Sequence, residues 1–107
     1  MTNIEYIHKL AVLHCVYQLI ASADGHIDEN RDEAAIGLAL SELGFNSVYS
    51  WDSALKLNPH DCFWHISTLN DNQKLLIKNL LLKIVEMGGN TNLRRTCANH
   101  LFQFCSI

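Results

Sequence analysis

Apolar residues recur at helical spacing through most of the chain, and this pattern predicts about six helices. The first helix, over residues 3–22, starts at a plausible N-cap, Asn3. Its apolar positions follow one another at intervals of four and three: Tyr6, Leu10, Leu13, Tyr17 and Ile20. A second apolar run at positions 4, 7 and 11 widens this face, so we expect the helix to be buried over much of its girth. A second helix is predicted over 29–43, ended by Gly44.

Capping residues divide the rest of the chain into four further predicted helices. A short helix over 51–57 stops at Asn58-Pro59, which are well suited to be the N-cap and first residue of a helix to about residue 68. Asn70 and Gln73 form a capping pair for a helix over 71–87. Because that helix is apolar nearly all round, it is the predicted central helix of the fold. Asn92 is expected to cap the last helix.

The two long helix pairs indicate an internal repeat. A shift of 64 residues aligns Ile20 with Ile84, Gly25 with Gly89, Asp28 with Asn92, Arg31 with Arg95 and Ala34 with Ala98. The expected fold class is therefore all-α: a compact bundle of about six helices, made of two pseudo-repeated helix-turn-helix halves. With 107 residues, 49% of them hydrophobic, and a single proline, the chain is expected to form one domain over residues 1–107.

The distribution of charge narrows the classes of partner. Residues 1–53 carry eight acids and two bases, whereas residues 54–107 carry six bases and three acids. Such a dipolar chain argues against nucleic acid as the main partner, since nucleic-acid binding usually needs a positive face. The longest apolar stretch, residues 75–87, is interrupted by polar residues and predicts no membrane span. Four dispersed cysteines and a start without a signal-peptide pattern predict a cytoplasmic protein with free thiols.

Acidic residues at the first turn raise the question of a metal site. Asp24-Gly25 and Asp28 fit part of an EF-hand loop, but the position of the bidentate glutamate is held by Arg31. A looser oxygen site for a divalent, calcium-like cation would use Asp24, Asp28 and Asp32. A turn followed by an acidic helix start explains most of the same residues and requires no metal.

Other chemistry is less strongly indicated. Cys62-x-x-His65 and Cys97-x-x-His100 have ligand types and spacing that zinc accepts, although such pairs also arise by chance in a helical chain. No phosphate-binding loop, nucleophile elbow or zinc-protease motif is present. We therefore expect no catalytic residues, no bound cofactor and no enzymatic activity.

Aromatic residues around the connector favour a role in protein interaction. Phe45, Tyr49, Trp51 and Trp64 lie near one another in sequence, and Trp51 and Trp64 are the predicted anchors for a partner. The alternative is that these rings close the core over the helix ends. The partner is an unidentified protein, with a homo-oligomer as a further option.

The stretch from Leu19 to Asp28, LIASADGHID, resembles the TerB-like family, which includes tellurite-resistance TerB proteins and the N-terminal domain of the DjlA co-chaperone. The resemblance rests on an Ala-Asp-Gly turn, an apolar residue two positions on, and an acidic cap, with a weaker copy at 87–92. It implies an all-α bundle whose acidic turns can hold a metal such as calcium. It also implies a non-catalytic role in stress response, including tellurite resistance, or as an accessory interaction module. Arg31, where the family usually has glutamate, and the uncharged second turn depart from the pattern.

Overall fold

The computed structural model describes the backbone of residues 4–24, 29–46, 49–87 and 91–107, and the side chains of these residues except 23, 24 and 29–31. Within these ranges the chain forms six helices and no strand. They are α1 (Tyr6–Asp24), α2 (Glu29–Leu43), α3 (Tyr49–Leu55), α4 (Pro59–Ser67), α5 (Asp71–Val85) and α6 (Thr91–Cys105). The predicted all-α bundle of about six helices is confirmed.

Helix α1 is the centre of the fold. It contacts each of the other five helices, and every residue from Leu10 to Val16 is buried. The prediction that this helix is buried over much of its girth is therefore confirmed. The prediction that residues 71–87 form the central helix is wrong, because α5 leaves Leu75 57% and Leu76 49% exposed. Both helices are rich in apolar residues, but only α1 is enclosed by neighbours on all sides.

Local capping explains why several helices begin and end where they do. The Asn58 side chain accepts hydrogen bonds from the backbone N–H groups of His60 and Asp61, as an N-cap should. Asn70 and Gln73 exchange the two reciprocal bonds of a capping box. Gly44 ends α2 with φ +78°, a left-handed conformation that glycine adopts without steric cost. These three sequence predictions are confirmed.

Two predicted boundaries differ from the structure. The last helix begins at Thr91, so Asn92 is its second residue and not its cap. Helix α5 ends at Val85, where Glu86 caps it by donating its N–H to carbonyl oxygens in the preceding turn. The predicted N-cap Asn3 and the glycines of both long turns lie outside the described residues.

The repeat holds for the first helix of each half but needs a different register for the second. Ile20 and Ile84 are both fully buried, as the 64-residue shift requires. Ala34, however, is exposed whereas Ala98 is fully buried. The buried positions of α2 reappear in α6 at a shift of 62 residues, which pairs Ala39 with Leu101. The second turn is therefore not a residue-for-residue copy of the first.

Buried His14 ties α3 to α1. Its Nδ1–H donates to the carbonyl oxygen of Ala54 at 2.9 Å, and its Nε2 accepts from the Gln18 side-chain amide at 3.0 Å. Because Ala54 lies in the last turn of α3, its carbonyl has no partner within the helix in the α-helical pattern. His14 thus satisfies a buried helix end, in agreement with its predicted place in the core or at its boundary.

The different burial of α1 and α5 predicts different costs for the same substitution. Leu13→Ala, in fully buried α1, is expected to lower the free energy of unfolding by about 2–5 kcal/mol because it leaves a cavity. Leu75→Ala, on the exposed face of α5, serves as the matched control and is expected to change it by about 0.5 kcal/mol or less. Urea denaturation of both variants measures the difference, and equal costs would contradict the central position of α1.

Candidate functional site

The first turn, which carries the predicted metal ligands, is only partly described. Asp28 lies outside the described residues, and of Asp24 only the backbone, at the end of α1, is described. Asp32 is described, and its side chain is 4% exposed. In the described part of the chain, no group of three or more His, Cys, Asp or Glu side chains is arranged to hold a metal ion. The divalent-cation site at Asp24, Asp28 and Asp32 therefore stays a prediction.

The carboxylate of Asp32 is held by the guanidinium of Arg94. Arg94 Nη2 lies 3.3 Å from Asp32 Oδ1, and the two side chains are 1% and 4% exposed. A second nitrogen of the same guanidinium, Nη1, donates to the carbonyl oxygen of Ile84 at 3.4 Å. This carbonyl belongs to the last turn of α5, where backbone oxygens lack partners within the helix. Arg94 therefore places a fixed positive charge beside an acidic group that the sequence suggested for a cation.

This ion pair joins the two halves of the repeat at equivalent positions. Asp32 is the fourth residue of α2 and Arg94 is the fourth residue of α6. The 62-residue register of the second helices aligns these two residues, whereas the 64-residue register hid the relation by aligning Arg31 with Arg95. A search for opposite charges at equivalent repeat positions would have found the pair. Arg94 is consequently not part of the surface basic patch that the sequence left open.

Three of the four thiols lie in the core. Cys15, Cys62 and Cys105 are buried on α1, α4 and α6, while Cys97 is half-buried. A hydrogen bond with Cys105, together with burial, raises the pKa of Cys15 well above its ordinary value. Burial, reinforced by the charge of Asp61, raises the pKa of Cys62 to about 11. Burial also raises the pKa of Cys97. Because the thiolate is the reactive form, these shifts make the thiols poor nucleophiles and poor metal ligands near neutral pH.

The two tryptophans predicted as anchors have different surroundings. Trp51 is 5% exposed, and its ring meets Tyr17 edge-on at a centroid distance of 6.4 Å. The structure thus corrects the prediction for Trp51: the helix α3 turns this ring into the core, where it closes the bundle and offers no surface to a partner. Trp64, on α4, is 63% exposed.

Trp64 belongs to a larger group of rings that spans α4 and α6. Phe63, half-buried, stacks on Phe104 of α6 with centroids 5.2 Å apart, and Phe104 is itself 59% exposed. Histidines extend both ends of this stack, His60 beside Phe63 and His100 beside Phe104. We call these five residues, with Trp64 next to Phe63 in α4, the α4–α6 aromatic surface. Sequence reasoning missed Phe104, because it lies 40 residues from Trp64 and only packing brings the two helices together.

Comparison with models of protein families, with curated proteins and with solved structures gave no match. Among the described residues, no helix is long and apolar enough to cross a membrane.

The buried ion pair predicts a large cost for removing one partner. Arg94→Met leaves the Asp32 carboxylate buried without its countercharge, so we expect the free energy of unfolding to fall by about 3–5 kcal/mol. The matched control is Arg95→Met, which breaks an exposed pair with Glu86 (2.8 Å; side chains 56% and 64% exposed) and should cost about 1 kcal/mol or less. Thermal or urea unfolding compares them. A similar small loss in both variants would show that Arg94 is not a buried structural charge.

The raised thiol pKa values predict alkaline instability with a definite sign. Cys62 keeps its proton to about pH 11 when folded but loses it near its model value of 9.0 when unfolded. The folded state therefore binds more protons in this window, and the free energy of unfolding falls as the pH rises from about 9 to about 11. Denaturation of wild type and Cys62→Ala between pH 8 and pH 11, under reducing conditions, checks this. The variant should start less stable because of its cavity but lose stability less steeply, and parallel curves would contradict the assignment.

Proposed function

We propose that this protein is a non-enzymatic helical interaction module that binds a protein partner through the α4–α6 aromatic surface. The observation that carries the proposal is the exposure of Trp64 and Phe104, 63% and 59%, in one group of rings on neighbouring helices. Large aromatic side chains are costly to leave in water, and buried tryptophans are among the commonest energetic anchors of protein interfaces. A partner that covers these rings would gain from both effects.

The polar residues of this surface suit a mixed interface. His60 and His100 flank the stacked phenylalanines, and both are exposed. Such a surface has an apolar centre with hydrogen-bonding groups at its rim, which is the usual anatomy of a protein interface. Asp61, also exposed on α4, adds a negative charge to the rim.

The chemistry of the remaining candidate groups supports a binding role and not a catalytic one. A catalytic cysteine needs a lowered pKa, whereas the pKa values of Cys15, Cys62 and Cys97 are all raised. The resemblance of residues 19–28 to the TerB-like family favours an accessory or stress-associated module in the cytoplasm. The divalent-cation alternative has lost ground at Asp32, whose carboxylate already has a cationic partner in Arg94.

Substitution of the exposed rings tests the proposal. The protein is immobilised and used to capture partners from a lysate of its native host, with wild type and Trp64→Ala in parallel. We expect a specific partner to bind wild type and to be lost or reduced by roughly tenfold or more with Trp64→Ala, as for an interface anchor. Circular dichroism should show unchanged folding, because Trp64 is exposed.

Two further variants complete the test. Phe104→Ala should weaken the same partner, since its ring is stacked in the same surface. Tyr6→Ala, which removes a ring that is 60% exposed on α1, is the control and should leave capture unchanged. Partner binding that is insensitive to both Trp64 and Phe104 would rule out this surface.

A further inference from the structure

Helix α5 leaves a second apolar face uncovered, and this face shares no residue with the α4–α6 aromatic surface. Leu75, Leu76 and Leu82 are 57%, 49% and 40% exposed. Asn79, between them, is exposed as well. Successive members of this set are three or four residues apart, or adjacent at the edge of the stripe, so they lie on one side of the helix. Three exposed leucines on one helix form an apolar stripe that water covers at a free-energy cost.

The face has a nearly symmetric arrangement about Asn79. Leu76 and Leu82 stand three residues before and after it, and Leu75 and Lys83 stand four residues before and after it. When two copies of such a helix pair antiparallel about a two-fold axis through Asn79, each Leu76 lies opposite Leu82 of the other copy. A two-fold interface must be self-complementary, and this arrangement meets that condition for the apolar contacts.

The charges on α5 also suit an antiparallel pair. Lys83, with its side chain 58% exposed, would lie opposite Leu75 of the second copy. One helical turn before Leu75 stands the exposed Asp71. The methylene stem of Lys83 can cover the leucine while its ammonium group reaches this carboxylate. By symmetry the contact forms twice, so the polar ends of the face favour the same orientation as its leucines.

A groove beside the stripe offers space for an incoming side chain. It has a volume of about 680 Å³ and is lined by α5 residues from Leu76 to Glu86 together with Glu42 of α2. It is open because α2 packs against α5 over a short contact only. A leucine from a second α5 helix near the two-fold axis would enter this groove, in the manner of a knob in a hole.

We propose that the occupant of this face is a second copy of the chain, joined through an antiparallel α5–α5 contact centred on Asn79. One helix face buries less than the roughly 1,600 Å² of a standard interface, so the dimer is reversible with a micromolar dissociation constant. The dimer would leave the α4–α6 aromatic surface out of the α5–α5 contact. Failure of this inference therefore does not affect the proposed partner binding, and the reverse also holds.

Sedimentation equilibrium over a series of protein concentrations tests the association. Wild type should show reversible dimerisation, and Leu76→Glu should raise the dissociation constant by roughly tenfold or more, because it places charges at both symmetric apolar contacts. Leu93→Glu, a leucine that is 47% exposed on α6, is the matched control and should dimerise like wild type. A wild-type protein that stays monomeric at the highest concentration would overturn the proposal, as would equal weakening by both variants.

Disulfide trapping tests the register independently of any loss of folding. In the proposed dimer Asn79 faces its own copy, so Asn79→Cys should cross-link to itself under mild oxidation. Leu76→Cys should not, because the two copies of residue 76 are offset by six residues, or about 9 Å along the helices. Mixing Leu76→Cys with Leu82→Cys should produce a cross-link again. Wild type gives the background from the native cysteines. Self-linking of Leu76→Cys without linking of Asn79→Cys would overturn the proposed geometry.

A charge exchange tests the polar contact. Asp71→Lys and Lys83→Asp should each weaken dimerisation, and the double variant should restore it because the pair is re-formed with reversed signs. Weakening that adds up in the double variant would contradict the contact between Lys83 and Asp71.

Discussion

The burial of α1 on almost every side is the constraint on which the rest of the structure depends. Because the residues from Leu10 to Val16 are all buried, no face of this segment can be left to water, and helices must surround it. Each of the other five helices contacts α1. These outer helices need only one side for the core, so their other sides remain available. The two surfaces with a proposed role lie on such outward sides, Trp64 and Phe104 on α4 and α6, and Leu76 on α5.

Buried polar groups determine how the outer helices are arranged around α1. His14 holds the end of α3 by a hydrogen bond to the Ala54 carbonyl oxygen, and Arg94 joins the start of α6 to Asp32 on α2 and to the end of α5. Apolar contacts alone tolerate small rotations and slips of a helix, whereas an unpaired buried charge or carbonyl costs free energy. These polar contacts therefore favour one arrangement over others with similar apolar burial. The Asp32–Arg94 pair also neutralises an acidic position near the first turn from within the protein.

The distribution of chemistry between interior and surface favours recognition over catalysis. The thiols lie in or at the edge of the core, where burial raises the pKa values of Cys15, Cys62 and Cys97. The surface instead carries rings and leucines, with Trp64 at 63% exposure. Side chains of this kind contribute binding energy through area and shape and do not react. Two separate surfaces would allow one copy of the chain to pair with another and still bind a different protein.

Local sequence signals determined the helices of this protein, and tertiary packing decided which of their faces are used. The capping residues Asn58, Asn70 and Gly44 act through neighbours within a few residues, so their roles follow from sequence alone. The similar apolar content of α1 and α5 could not reveal which of the two is enclosed, because burial depends on where the other helices pack. Trp51 and Trp64 likewise look equivalent in sequence, yet one is 5% and the other 63% exposed. Arg94 meets Asp32 across 62 residues, and only the folded chain brings these charges within 3.3 Å.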